Sequence, residues 1–487
     1  MSPRSHYPVV VVGAGPAGLT AAIALARAGV ECLLVERRAE LSSHPRATVV
    51  SLRTMELLRS WGLEDEIAAG GPEVDWHMWN SETLASARDG FAIPVGIPSR
   101  EASALVSPTA PACVPQDHLE RVLLRHLRTL PSARVLLGAS LASLDRGEDG
   151  VALTLETSRG EHVVGADWLV AADGAHGPIR THLGIGRADS GGLEHAVSAL
   201  FEAPLWERLG DLRYGLYSVT HPDAPGLFLP AGLPDRWLYG VDARTVDGGP
   251  GDVAAVRRQI EIGAGFPGME IRIERIGAFD LVAGIAESFR DGRVILVGDA
   301  AHRVTPRGGT GMNMAIQGAF NAGWKLAWVV RGWAEDGLLD SYEAERRPLV
   351  EHNIARSTNP EGSAAEPAVE MQVDLGGRIP HVWTSTPAGR RSTLDLPGEA
   401  LTLLSDEEGA ARWAVAADSV DAGPPIVTRS VDAMAARALA LSSGAAMLVR
   451  PDAVQAAWLP ACAGGGALSA AVSAALGETH AREPALV

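Results

Sequence analysis

Lysine is almost missing from this chain. Among 487 residues there is one, Lys325, so nearly all of the 42 basic side chains are arginine. With 59 acidic residues the net charge is −17. That balance argues against nucleic acid or an anionic membrane as the main partner. Cysteine is scarce too. Cys32, Cys113 and Cys462 lie far apart, in no CxxC or CxxH spacing, which excludes a redox dithiol, a zinc knuckle and a disulfide framework; no metal site is expected. No apolar run is long enough to span a bilayer, and the stretch from Trp324 to Trp333 is broken by Lys325 and Arg331. Leu19 to Val35 is apolar enough for a signal-peptide core, yet it carries Arg27, Glu31 and a turn motif, with no cleavage pattern after it. A cytoplasmic protein is expected.

What is present is organised around Tyr7 to Arg37. A short β-branched run, Tyr7 to Val12, meets Gly13-Ala14-Gly15-Pro16-Ala17-Gly18, followed by a helical stretch from Leu19 to Ala28 and a second apolar run from Cys32 to Val35. Glu36 stands 23 residues after Gly13. This is the strand–turn–helix–strand pattern that binds a dinucleotide. Gly13 permits the tight turn, Gly15 lets a pyrophosphate approach the backbone, and Gly18 lets the helix lie close to the sheet. The helix start faces the anion. Glu36 accepts from ribose hydroxyls and would repel a 2′-phosphate.

The length suits two or three domains. Ser51 to Ser60 and Gln116 to Leu130 read as helices, the second with Leu119, Val122, Leu123 and Leu127 on one face. Arg134 to Leu137, Val151 to Thr157 and Glu161 to Val164 read as a small meander, and Trp168 to Ala171 as a buried strand leading into Asp173-Gly174. Four strands are expected between Arg213 and Arg275, rich in aromatics, as an inserted antiparallel sheet. Gly263 to Gly268 repeats the GxGxxG spelling after a helix rather than before one, so it is read as a turn. Arg293 to Val297 is a buried strand ending at Gly298-Asp299, and a long helix follows Arg307-Gly308-Gly309-Thr310-Gly311-Met312-Asn313. The expected division is a discontinuous dinucleotide-binding domain (1–75, 101–190 and 276–360), a β domain (76–100 and 191–275), a linker (361–391) and a small α/β domain (392–487).

Asp173 and Asp299 both fall at the C-terminal ends of buried strands, where open α/β sheets bind ligands. Asp299, beside a glycine loop, suits a hydroxylated chain such as ribityl. The Gly308 to Asn313 N–H groups, with a helix dipole behind them, would stabilise the negative charge of a reduced flavin.

These three motifs together resemble the group A flavoprotein monooxygenases of the para-hydroxybenzoate hydroxylase fold, over roughly Tyr7 to Pro348. The matching segments include His44-Pro45-Arg46-Ala47, Gln116 with Leu119-Glu120, Gly298 to His302, Pro306 to Asn313 and Glu345-Arg346-Arg347-Pro348. In detail the chain looks closest to phenol hydroxylase-like enzymes and aromatic polyketide hydroxylases. The resemblance implies a Rossmann-type FAD-binding domain with an inserted β-sheet substrate domain. It also implies a C-terminal thioredoxin-like domain, here without redox cysteines. It implies FAD held by Gly13, Gly15, Pro16, Ala17, Gly18, Glu36, Arg37, Arg46, Gln116, Asp173, Asp299, Pro306, Gly309, Gly311, Met312 and Asn313. NAD(P)H and O₂ would be co-substrates, and the protein a monomer or homodimer.

The activity so implied is hydroxylation of a phenolic or polycyclic aromatic ring through a flavin C4a-hydroperoxide, in natural-product tailoring. Pro306 would line the reacting side of the flavin. Tyr217 and His221, with His77, are candidates for substrate deprotonation. Trp76, Trp79, Tyr214, Phe228, Trp237 and Tyr239 are the candidate pocket wall. The same fold also serves Baeyer–Villiger oxidation, epoxidation and antibiotic inactivation, and a flavin-carrying binding protein without turnover is a further alternative. A halogenase is disfavoured, because Trp76-His77-Met78-Trp79 does not fit a WxWxIP segment and Lys325 lies in the long helix.

Overall fold

The computed structural model describes residues 4–477 apart from 250, 388 and 422, with no side chains described at 191–194. The ends of the first and last expected domains, 1–3 and 478–487, lie outside the described residues. The first strand, His6–Val12, is the middle of a parallel sheet. It pairs with Cys32–Glu36 on one side and with Gly160–Ala171 on the other, and Gly160–Ala171 pairs in turn with Val294–Leu296. These strands are continuous apolar runs because helices cover both faces. The expected strands Glu161 to Val164 and Trp168 to Ala171 are one strand; its first half pairs with the meander and its second half with His6–Val12.

Helix Pro16–Arg27 packs beside helix Gly311–Val330. Glycine makes the approach possible: a Cβ on Gly323 would lie 2.7 Å from the Cβ of Ala24. The helix read as Leu19 to Ala28 starts three residues earlier, because Pro16 takes the first-turn position where its missing N–H costs nothing.

The inserted sheet has eight strands, more than expected. Arg187–Glu202 and Arg272–Ala286 pair along most of their length and carry the chain into and out of the insertion. The first was not legible as a strand, since Asp189, Ser190 and two glycines interrupt its apolar pattern and bulges absorb them. Asp75–Ser81 and Phe91–Pro94 complete the far edge. The sheet is not wholly antiparallel, because Asp75–Ser81 runs parallel to Tyr214–Val219. The second GxGxxG stretch is a helix end: helix Val253–Ala264 stops with Gly265 in the left-handed conformation, φ +71°.

The stretch read as a linker is structured. It holds helix Pro367–Leu375 and the hairpin of Trp383–Thr386 with Gly389–Ser392. The C-terminal unit is a four-stranded sheet with its first two strands parallel and the next two antiparallel, in a strand–helix–strand–helix–strand–strand–helix order. One face, including Leu401, Leu403 and Leu448, joins the main hydrophobic core; the other, including Leu404, Met447 and Val449, has a core of its own.

Arg236 fastens the inserted sheet to the nucleotide domain. Its guanidinium donates to both carboxylate oxygens of Asp117 (3.1 and 3.3 Å), to Ser43 O (2.9 Å) and to Ala231 O (3.3 Å). Asp117 has a side chain only 2% exposed. Arg236→Met therefore strips a buried carboxylate of its main partner and is expected to lower stability by about 3 kcal/mol in urea unfolding. Arg236→Lys recovers only part of this, because one ammonium cannot serve both the acceptors of Nη1 and Ser43 O, which Nη2 reaches.

Candidate functional site

Four strand ends place the predicted residues along one edge of the parallel sheet: Gly13 after His6–Val12, Glu36 at the end of its strand, Asp173 after Gly160–Ala171, and Asp299 after Val294–Leu296. Gly13 has φ +110°, and a Cβ there would collide with the carbonyl of Ala172. A Cβ on Gly18 would collide with the carbonyl of Gly13. Gly15 is different. Its backbone is ordinary extended chain, φ −74°, and a Cβ there would meet nothing within 4 Å. The fold itself does not demand glycine at 15, so the open space above it is the place for a ligand.

Asn313 and Gly15 belong to one cleft. Gly298, φ +60°, lies between the two helix starts: a Cβ on it would stand 2.8 Å from Ala17 Cβ and 3.4 Å from Ala315 Cβ. Neither helix has a side-chain cap or an acid in its first turn. Their free N–H groups and positive dipole ends therefore point together at the strand edge.

The polar side chains divide into those spent on the protein and those left open. Glu36 accepts from Ala14 N (2.9 Å) and Arg38 N (3.0 Å), holding the turn. Asp173 accepts from Ile179 N (3.0 Å) through one oxygen, while the other is buried without a partner. Burial raises its pKa, against the pull of that N–H, Arg180 and Arg37. Asp299 has no hydrogen-bond partner among the described residues. Burial raises its pKa as well, opposed by Arg46, Arg303, Arg187 and His176. This basic group is a local positive field on an acidic protein, and it suits a phosphate-bearing ligand.

Arg46 is exposed, with no ion pair among the described residues. Gln116 donates to Glu120 Oε1 at 2.7 Å. Asn313 does not aim its side chain into the cleft: it accepts from Ser51 N (2.8 Å) and donates to Val49 O (3.1 Å) and Gly309 O (3.0 Å). Only its backbone N–H, with those of Gly311 and Met312, is free for a ligand. Pro306 is exposed, and its carbonyl accepts from Gly309 N at 3.1 Å.

The expected pocket wall needs correction. Tyr217, Phe228, Trp237 and Tyr239 are fully buried in a core with Trp206, Val256 and Ile260, on the sheet face turned away from the nucleotide domain. Trp79 stacks on Tyr214 at 4.5 Å, and both pack against the same core. Of the six, Trp76 is buried outside that core, beside an irregularity in the strand pairing, with its ring against Gly215. Tyr217 is no proton carrier. Its hydroxyl donates to Leu212 O (2.5 Å) and accepts from Tyr214 N (2.9 Å), and burial pushes its pKa up. His221 accepts from Asp223 N (3.2 Å) in a turn beyond the strand, and His77 pairs with Asp75 (3.1 Å).

The face turned toward the cleft was missed. Cross-strand pairing aligns Leu200, Leu238, Leu229, Leu216 and Met78 in one row, and Gly277, Ser198, Gly240 and Leu227 in the next. Leu227, Phe279 and Phe91, on this face, are among the exposed large apolar residues. His44 lies over the row's end, with Nε2 3.4 Å from Ser198 Oγ and Nδ1 buried without a partner. Burial lowers its pKa, with Arg275, Arg236 and Arg46 adding to that and Asp117 opposing. The signal was available in principle: these residues alternate with the aromatics that drew notice.

Comparison with known proteins accords with this geometry. A family model described as an FAD binding domain matches residues 6–357, and one described as the C-terminal part of aromatic-ring hydroxylases matches 372–479. The chain belongs to the FAD-binding aromatic-ring hydroxylases. Tetracenomycin A2 monooxygenase-dioxygenase of Streptomyces glaucescens is 32% identical over 94% of this chain and 95% of its own. Aklavinone 12-hydroxylase DnrF of Streptomyces peucetius is 36% identical over 83% of this chain and 92% of its own. A crystal structure of aklavinone-11 hydroxylase with FAD and aklavinone matches with TM-score 0.86 at 30% identity, covering 98% of this chain and 100% of that one.

FAD fits the hydroxylase cleft on the chain's own evidence. Two uncapped helix starts and the space over Gly15 suit its pyrophosphate, the unpartnered Asp299 its ribityl hydroxyls, and the free N–H groups at 311–313 its pyrimidine edge.

Gly15→Val separates ligand from fold. Apo-protein melting should be unchanged, while flavin fluorescence titration should show FAD affinity at least about tenfold weaker. Glu120 offers a pH test. Burial pushes its pKa up to about 7, against the hydrogen bond from Gln116 and the charge of Arg46. The folded protein then holds a proton that the unfolded chain has lost, so stability falls as pH rises through the window from the unfolded value to about 7. Glu120→Gln should leave FAD-free protein little changed in acid and more stable above that window, by up to roughly 3 kcal/mol. Thermal melts across pH check this.

Proposed function

We propose that this chain is an FAD-dependent, NAD(P)H-consuming monooxygenase that hydroxylates a phenolic or polycyclic aromatic molecule, in the tailoring of an aromatic polyketide or similar product. The observation that carries the reading is the apolar face opposite the FAD cradle, where Leu200 and Leu238 are buried, Leu216, Leu229 and Met78 are half-buried and Leu227 is exposed. A row of leucines and a row of Gly277, Ser198 and Gly240 make a floor three strands wide, on the order of 10 Å across the small residues. Such a floor, low where the small residues lie, takes a flat ring system. The named activities of the relatives, on tetracenomycin and aklavinone, support the same class.

FAD, when bound, supplies reduction by the nicotinamide dinucleotide and activation of O₂. The chain's own residues do the rest. The leucine rows exclude water and fix the ring plane. Ser198 Oγ and His44 Nε2 are the polar atoms at the end of the floor. His44, held neutral by its surroundings, accepts the proton of a ring hydroxyl. Arg46 and Arg275, neither in an ion pair among the described residues, stabilise the resulting phenolate and draw the anionic dinucleotide to the same seam. The protein works in the cytoplasm as a monomer or homodimer.

A panel of hydroxylated polycyclic aromatics tests this. One member should accelerate NAD(P)H oxidation by the FAD-loaded protein and emerge heavier by one oxygen atom. Flavin-loaded protein that no aromatic compound stimulates would refute the reading. Gly240→Leu should raise KM for the active compound by about tenfold or more with FAD content unchanged.

A further inference from the structure

Behind the glycine loop that borders the flavin cradle is a cavity of about 60 Å³. It holds two water molecules, or one carboxylate, and no ring. One side is apolar, formed by Val49, Ile97 and Met371; Gly308 and Gly309 close another. Ile97 follows the edge strand Phe91–Pro94 of the inserted sheet, so the cavity lies where the two domains meet.

Its polar wall is unevenly satisfied. Asp374 is fully engaged, accepting from Ser51 Oγ (3.1 Å), Arg53 N (3.0 Å) and Gln317 Nε2 (2.8 Å). Arg356 and Glu370 pair with each other at 2.9 Å. Arg346 is different. Of the five donors of a guanidinium, it spends one, on Gln317 Oε1 at 3.2 Å. It forms no ion pair among the described residues, although it is enclosed enough for burial to lower its pKa. Asn353 donates to Leu349 O (2.8 Å).

We propose that this cavity receives a carboxylate carried at one end of the aromatic substrate, held by the Arg346 guanidinium. The inference rests on the monooxygenase reading and adds to it the acidic character of the substrate. A planar fork of donors matches a carboxylate in a bidentate way. The cavity admits that group and excludes the ring, so the ring stays on the leucine floor while the acid sets its direction. The carboxylate also gives Arg346 a direct partner, where Glu345 and Asp374 act on it only from beyond ion-pair distance.

The test uses dihydroxyanthraquinone and its carboxylic-acid derivative as probes. Each is titrated into FAD-loaded protein while the flavin absorption band is followed. The acid should bind about tenfold more tightly than the parent. Arg346→Met should bring the acid down to the affinity of the parent with FAD content unchanged. Met371→Trp, which fills the cavity from its apolar side, should do the same and carries the test should Arg346→Met fail to fold. Equal binding of the two probes by the unaltered protein, or a preference for the acid that survives in the variants, would overturn the proposal and make the cavity a water site only. Binding of neither probe would instead count against the polycyclic substrate itself.

Discussion

Everything at the cleft depends on two helices starting side by side. Helices Pro16–Arg27 and Gly311–Val330 run parallel, with their first turns brought together over Gly298. Parallel neighbours place two positive dipole ends against each other, and neither is capped. In a ligand-free protein that is unfavourable: like partial charges lie close and several N–H groups lack partners. An elongated anion with a hydrogen-bonding chain removes both difficulties at once. The nearby carboxylates are held off from the helix starts. Glu36 is tied to the turn, Asp173 leans on its own short helix, and Asp299 is surrounded by basic groups.

The second constraint is the anchorage of the long helix at its other side. The chain's one lysine is fully buried in that helix, 2.9 Å from Glu345, and burial lowers its pKa to about 8. Glu345 also takes Arg450 (2.8 Å), and Arg450 takes Asp452 (2.6 Å), both in the C-terminal unit. Trp324 Nε1 donates to Asp452 Oδ2 at 3.3 Å. A compact ammonium fits where a guanidinium would not, which gives Lys325 a physical role in a chain otherwise served by arginine. The C-terminal sheet, sharing its core with the nucleotide domain, thus braces the helix whose start faces FAD. It has no dithiol to do otherwise, for Cys32 and Cys113 are buried and Cys462 is exposed alone.

The inserted sheet shows how far reading by residue type goes. Its aromatics marked the strands well, because β-branched and aromatic residues favour pleated, half-buried chain. They did not mark the ligand face. Side chains alternate across a strand, so the aromatics and the residues turned to FAD are neighbours in sequence and opposites in space. Tyr217 and Trp237 hold the insertion together; Leu216 and Leu238, one position away, face the cleft. Arg187–Glu202 escaped notice altogether because its pairing with a distant strand, not its own pattern, makes it extended.

The sequence alone settled the dinucleotide half of the protein. The demands there are local: a glycine where φ is positive, a proline at a helix start, an acid at a strand end. These leave their mark in consecutive residues. It also placed the three glycine turns in an order that implied one cofactor, although their meeting at Gly298 needed coordinates. What tertiary structure decided was everything that depends on facing: which side of the inserted sheet meets FAD, that Asn313 is spent on the backbone of Val49 and Ser51, and that Arg346 looks into a cavity with donors to spare. Facing is set by packing between segments hundreds of residues apart, and no periodicity within one segment records it.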